Sequence, residues 1–256
     1  MKTIPVRRLP SPLLAAALLL FLSLIACEGP GTHSQQAANA TAPGKPQPTP
    51  PTHGCSFDND VSTLGQGLLI MPDKFSIFRD SLLADTLAHL DMYRMNPEQT
   101  PVCPKYFKPD YGIMHFVYLD STKKAYRILL NQADVGYAPR QSGYKLVSWP
   151  KYILSSLAIR RNYEEAQVAN TKLLLRTTPQ DSAAALSISK GLEMFCPLEV
   201  QGDWVRVRYD CFYNKASNPH EGQPCSEYIA QCKTAPTGWL RWRQDNKLVI
   251  DIMLLP

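Results

Sequence analysis

The chain reads as a mainly β protein: two small β-rich domains joined by a short helix, behind a disordered tether. Three observations predict this. From residue 56 onward, short apolar or alternating runs are punctuated by Gly, Pro, Asn, Asp and Ser, the pattern of strands and turns. One segment, beginning Ser148-Trp149-Pro150, carries clear helix-start signals. Residues 28–54 have no hydrophobic period at all. The 45% hydrophobic and 19% charged content fits folded material, and 256 residues allow one large domain or two small ones.

Residues 1–26 read as an export signal. Lys2, Arg7 and Arg8 make a positive start, and Leu13 to Ala26 is an almost wholly apolar stretch of 14 residues. That is short of the roughly 20 helical residues needed to span a bilayer, and a signal core fits better. Leu24-Ile25-Ala26-Cys27 resembles the lipobox of bacterial lipoproteins. The resemblance implies lipid transfer to Cys27, cleavage before it, and attachment to a membrane through multiple acyl chains. The expected location is the cell envelope, on the periplasmic or cell-surface side. The signal holds three of the 27 basic residues and no acidic one, so the rest carries 24 basic against 22 acidic residues, a net charge of +2. Such a balance offers no electrostatic footprint for nucleic acid.

Residues 27–55 form the tether. Pro43, Pro46, Pro48, Pro50 and Pro51 stiffen it toward polyproline II, and its full reach is at most ~80–90 Å.

The first β-rich region spans 56–162. Leu82, Leu83, Leu87 and Leu90 fit either a helix or a strand and loop. Ile113 to Leu119 is an unbroken apolar strand, and Tyr126 to Leu130 alternates after a polar turn. The helix is predicted from Trp149 to about Arg161, with Pro150 in its first turn and Arg160 and Arg161 in its last. The second region spans 163–256. Lys172 to Arg176 is a short strand, Leu192 to Val200 is the next, and Gln201-Gly202-Asp203 is a tight turn. Trp204 to Tyr209 alternates, with Val205 and Val207 on one face and Trp204, Arg206 and Arg208 on the other. After an insertion at 211–237 come Gly238-Trp239 and a last apolar strand, Leu248 to Leu254.

Leu175-Arg176, Lys190-Gly191, Gly202-Asp203-Trp204-x-x-Val207 and Gly238-Trp239 together resemble bacterial Src-homology-3 (SH3) domains over residues 168–256. The resemblance implies a small β-barrel. The first half looks like a divergent copy, since Tyr126-x-x-Leu129…Gly136-Tyr137 parallels Trp204-x-x-Val207…Gly238-Trp239. The fold expectation is therefore two SH3-like barrels.

Seven cysteines minus Cys27 leave six. In an oxidising compartment an even set reads as disulfides. Cys55 and Cys103 lie far from the rest and pair with each other. Cys196, Cys211, Cys225 and Cys232 pair among themselves, with Cys225 near Cys232 and Cys196 near Cys211 at the open end of a hairpin. The competing reading is zinc on Cys211, His220, Cys225 and Cys232, but the chain has no close C-x-x-C pair.

No metalloprotease, serine-hydrolase, phosphate-loop or dinucleotide motif is present. The reading is a non-catalytic, lipid-anchored binding module of the envelope, with no cofactor and no metal. Its ligand is peptidoglycan or an envelope protein, by analogy with the resembled family. The alternatives are a cell-wall thiol hydrolase or its remnant, with Cys103 and His115 as the reactive pair, and an assembly lipoprotein without polymer affinity. His115, between Met114 and Phe116, also has the look of a packed histidine. The candidate ligand face is Trp204, Arg206, Arg208, Tyr209 and Tyr213, an aromatic and cationic set beside a braced loop. Against it stands a purely structural Trp204, lying at a barrel rim or under the cysteine-rich loop.

Overall fold

A strand with apolar residues at consecutive positions is buried on both faces, and the run Ile113 to Leu119 becomes the middle of the larger sheet. In the computed structural model, residues 61, 63–96, 100, 102–162, 173–188, 194–213 and 215–254 are described. The signal 1–26, Cys27, the tether to Cys55, residues 163–172 and the Lys190-Gly191 turn lie outside the described residues.

The first eight strands are β1 (Gly67–Ile70), β2 (Lys74–Phe78), β3 (Thr86–Asp91), β4 (Tyr106–Lys108), β5 (Ile113–Ser121), β6 (Ala125–Leu129), β7 (Val135–Pro139) and β8 (Lys145–Ser148). They form one antiparallel sheet in the order β3-β2-β7-β6-β5-β1-β8, with β4 also paired to β5. Alternation sorts its core into two layers. Leu68, Val117 and Leu129 face one way, and Leu69, Phe116 and Ile128 face the other. The leucine-rich segment 82–90 resolves into a loop and β3 rather than a helix.

The helix, α1 (Trp149–Leu154), follows β8 directly and is shorter than the sequence predicts. Ser155 and Ser156 turn their hydroxyls back onto the carbonyls of Tyr152 and Ile153 at 3.1 and 2.7 Å. Such local bonds compete with helix propagation. The chain then extends as β9 (Ala158–Arg161), so Arg160 is a strand residue, bonded to Asp251 at 2.6 Å.

The remaining strands are β10 (Phe195–Gln201), β11 (Trp204–Tyr209), β12 (Thr237–Arg241), β13 (Arg243–Gln244), β14 (Lys247–Leu248) and β15 (Ile250–Met253). The second sheet runs β12-β11-β10-β9-β15, and β13 and β14 make a separate hairpin. Asp245 and Asn246 turn that hairpin with φ of 48° and 62°, as a tight two-residue hairpin turn requires.

Neither sheet closes, which corrects the barrel expectation. The outer edge of β12 is covered instead by Arg176, whose amide and carbonyl both bond Trp239 at 2.8 Å. Gly238 allows this approach: a Cβ there would stand 2.7 Å from the Arg176 carbonyl oxygen. The compared halves are also offset by one residue. Gly238 pairs with Val207, three past Trp204, while Gly136 pairs with Ile128, two past Tyr126.

One core joins the sheets. Leu68 and Val117 from the first and Phe195, Val205 and Ile252 from the second belong to the same buried cluster. Trp149 stands among them, its indole N–H donating to the Leu64 carbonyl at 2.7 Å and its ring 6.4 Å from that of Trp242. All described residues belong to one compact unit. Among them no helix is long and apolar enough to cross a membrane.

Candidate functional site in the disulfide-braced insertion

The segment from Asp210 to Pro236 has few aliphatic residues and is organised by sulfur, rings and one carboxylate. Cys196 bonds Cys225, and Cys211 bonds Cys232. The four cysteines thus pair among themselves, in an interleaved pattern rather than between sequence neighbours. The first bridge ties the insertion to β10, and the second closes its base. Cys196, Cys225, Tyr228, Ile229 and Cys232 make a small buried core of their own. These bonds also occupy the thiols that a zinc site would use. Cys103 is likewise disulfide-bonded, with its expected partner Cys55 outside the described residues, so it presents no free thiol for nucleophilic chemistry.

Asp210 sits where β11 ends. Its amide donates to the Met194 carbonyl at 3.0 Å. Its side chain is 2% exposed. Oδ1 accepts from the Phe212 amide at 2.9 Å and Oδ2 from the Tyr228 hydroxyl at 2.8 Å. Burial and this carboxylate together push the Tyr228 hydroxyl well above the ordinary tyrosine range, so it stays a donor. His220 lies flat on the Tyr228 ring at 4.3 Å, and the Phe212 ring meets His220 edge-on at 4.8 Å. The Asn218 side chain accepts from the His220 amide at 2.9 Å, and Gln223 pairs with Nδ1 of the ring at 3.2 Å. The Lys215 ammonium rests 4.3 Å over the Phe212 ring.

All of these groups except Phe212 help to wall a cleft of about 430 Å³, a size suited to a small ligand or a side chain of a larger one. Leu157, Met194 and Met253 supply apolar lining. Asp210, Asn218 and Gln223 supply polar groups, and Tyr213 stands 46% exposed beside it.

The expected ligand face does not assemble as a unit. Trp204, Arg206 and Arg208 do share one face of β11, as alternation predicts, but Trp204 is only 8% exposed. Arg241 from the neighbouring β12 covers its ring at 4.6 Å and reaches Asp181 at 2.5 Å. Arg206 is exposed and 3.7 Å from Glu199. Arg208 bonds Thr237 at 3.1 Å. Tyr209 packs edge-on against Phe195 at 6.0 Å. Tyr213 alone of the five lines the cleft.

His115 is a packed residue. Its Nδ1 meets the Tyr152 hydroxyl at 2.8 Å, and burial pulls its pKa down to about 4. The sequence reading missed Asp210, Phe212 and Tyr228, and weighed His220 only as a metal ligand. The legible signal was the flanking of these residues by four cysteines. No protein family matches the chain, and no significant match exists among curated proteins or solved structures.

Proposed function

We propose that the protein is a lipid-anchored, non-catalytic binding module of the cell envelope, with peptidoglycan or an envelope protein as its ligand. The observation that carries this is the cleft beside Asp210, Tyr213 and Tyr228, braced by two disulfides. Disulfides suit an exported protein, and a braced loop loses less entropy when it binds. Concave, mostly apolar sites with a few fixed polar groups are where small ligands and side chains bind.

The same proposal reads Leu24-Ile25-Ala26-Cys27 as a lipobox, places the folded part on the periplasmic or cell-surface side, and keeps the SH3 likeness for the strand and turn pattern within residues 168–256, without a closed barrel. Support for the SH3-like reading comes from the Gly202 turn between β10 and β11 and from Gly238-Trp239 against β11. Two experiments test the proposal. The Cys27→Ser protein should leave the membrane fraction, and wild type should co-sediment saturably with purified sacculi or with one envelope protein. A Cys27→Ser protein that stays membrane-bound removes the anchor, and the absence of any envelope ligand removes the binding role.

A further inference from the structure

Asp210 is a buried carboxylate whose two oxygens both accept hydrogen bonds. Its donors are neutral, an amide and a phenol. Among the described residues no Lys, Arg or His forms an ion pair with it. A buried carboxylate with no cationic partner is a natural place to receive one, and this one forms part of a cleft wall. The rest of the lining is also informative. Leu157, Met194 and Met253 offer a path for an unbranched alkyl chain. Tyr213 and Tyr228 add aromatic rings to the lining, and the ammonium of Lys215, itself a lining residue, rests 4.3 Å over Phe212, which lies outside the lining.

We infer that the cleft binds an alkylammonium group, with its chain along the methionine and leucine side chains and its charge set against Asp210. This rests on the reading of the cleft as the ligand site and deepens it. Lys215 is then a resident cation beside the binding position. It opposes a second positive charge, so its removal strengthens binding of an amine and weakens binding of an anion.

The test is calorimetric titration of the full-length protein in detergent with cadaverine, with neutral N,N′-diacetylcadaverine and with neutral tetra-N-acetylchitotetraose. Cadaverine should bind saturably, and diacetylation should weaken binding about tenfold or more, the scale of a lost charge-assisted contact. Asp210→Asn should have a similar effect, and Lys215→Met should tighten cadaverine binding by about threefold. If Asp210→Asn does not fold, the paired ligands and Lys215→Met decide the matter. Equal binding of the diacetyl compound, no cadaverine binding, or unchanged binding by folded Asp210→Asn each overturns the inference. Binding of tetra-N-acetylchitotetraose that Ala216→Trp blocks, without cadaverine binding, would overturn the amine and leave the cleft as a ligand site. Loss of the cleft reading itself would show separately, as sacculus or envelope-protein binding that cleft substitutions do not alter.

Discussion

The Tyr228 hydroxyl donates to Oδ2 of Asp210 at 2.8 Å, tying the far side of the insertion to the end of β11. Among the described residues, this bond and the one from the Phe212 amide hold the carboxylate in the cleft wall. Tyr228→Phe removes the stronger donor while keeping the ring stacked on His220. It should cost about 1–3 kcal/mol in urea unfolding, as expected for stripping a partner from a buried polar group. A variant as stable as wild type would mean the carboxylate is not held by this bond.

His115 sets an acid limit on the fold. Burial lowers its pKa to about 4, below the ordinary value of 6.5. Between these values the unfolded chain binds a proton that the folded one refuses. Stability is therefore complete above pH ~6.5 and declines as pH falls toward 4, by on the order of 3 kcal/mol in all. Urea midpoints between pH 6.5 and 5 isolate this effect from most carboxylates. His115→Gln should flatten the slope in that window, and an unchanged slope would assign it elsewhere.

The hydroxyl of Tyr106 is buried without a partner among the described residues, while its ring stacks on Tyr152 at 5.5 Å. Tyr106→Phe keeps the stack and removes the orphan. Its unfolding free energy should match wild type or exceed it by about 1 kcal/mol. Destabilisation of that size or more would reveal a bound water satisfying the hydroxyl.

Trp204 belongs to the framework. With its ring under Arg241, Trp204→Ala should cost about 3–5 kcal/mol. Exposed Arg206→Ala should shift stability by no more than about 0.5 kcal/mol. Comparable effects of the two would contradict the burial described.

Much of the framework was legible because period-2 alternation and turn residues act locally. The strand Trp204 to Tyr209 has the expected bounds, and Val205 and Val207 face the core. What alternation cannot report is whether the outward face stays open. Arg241 and Asp181, 37 and 23 positions away from Trp204, close it. The helix was over-extended because Ser155 and Ser156 act through hydroxyl bonds that hydrophobic period does not register. The cleft was least legible. It depends on interleaved disulfides, and four cysteines permit three pairings that sequence alone does not rank.

The central claim is that the cleft is where the protein meets its envelope ligand. Its most direct test is co-sedimentation of wild type, Tyr213→Ala and Ala216→Trp with purified sacculi, or with the envelope protein that wild type binds. Both residues line the cleft and are exposed, so the unfolding midpoints should hold. The account predicts an affinity loss of about tenfold or more in each, consistent with removing or blocking one aromatic contact. Wild-type binding by both folded variants would contradict it.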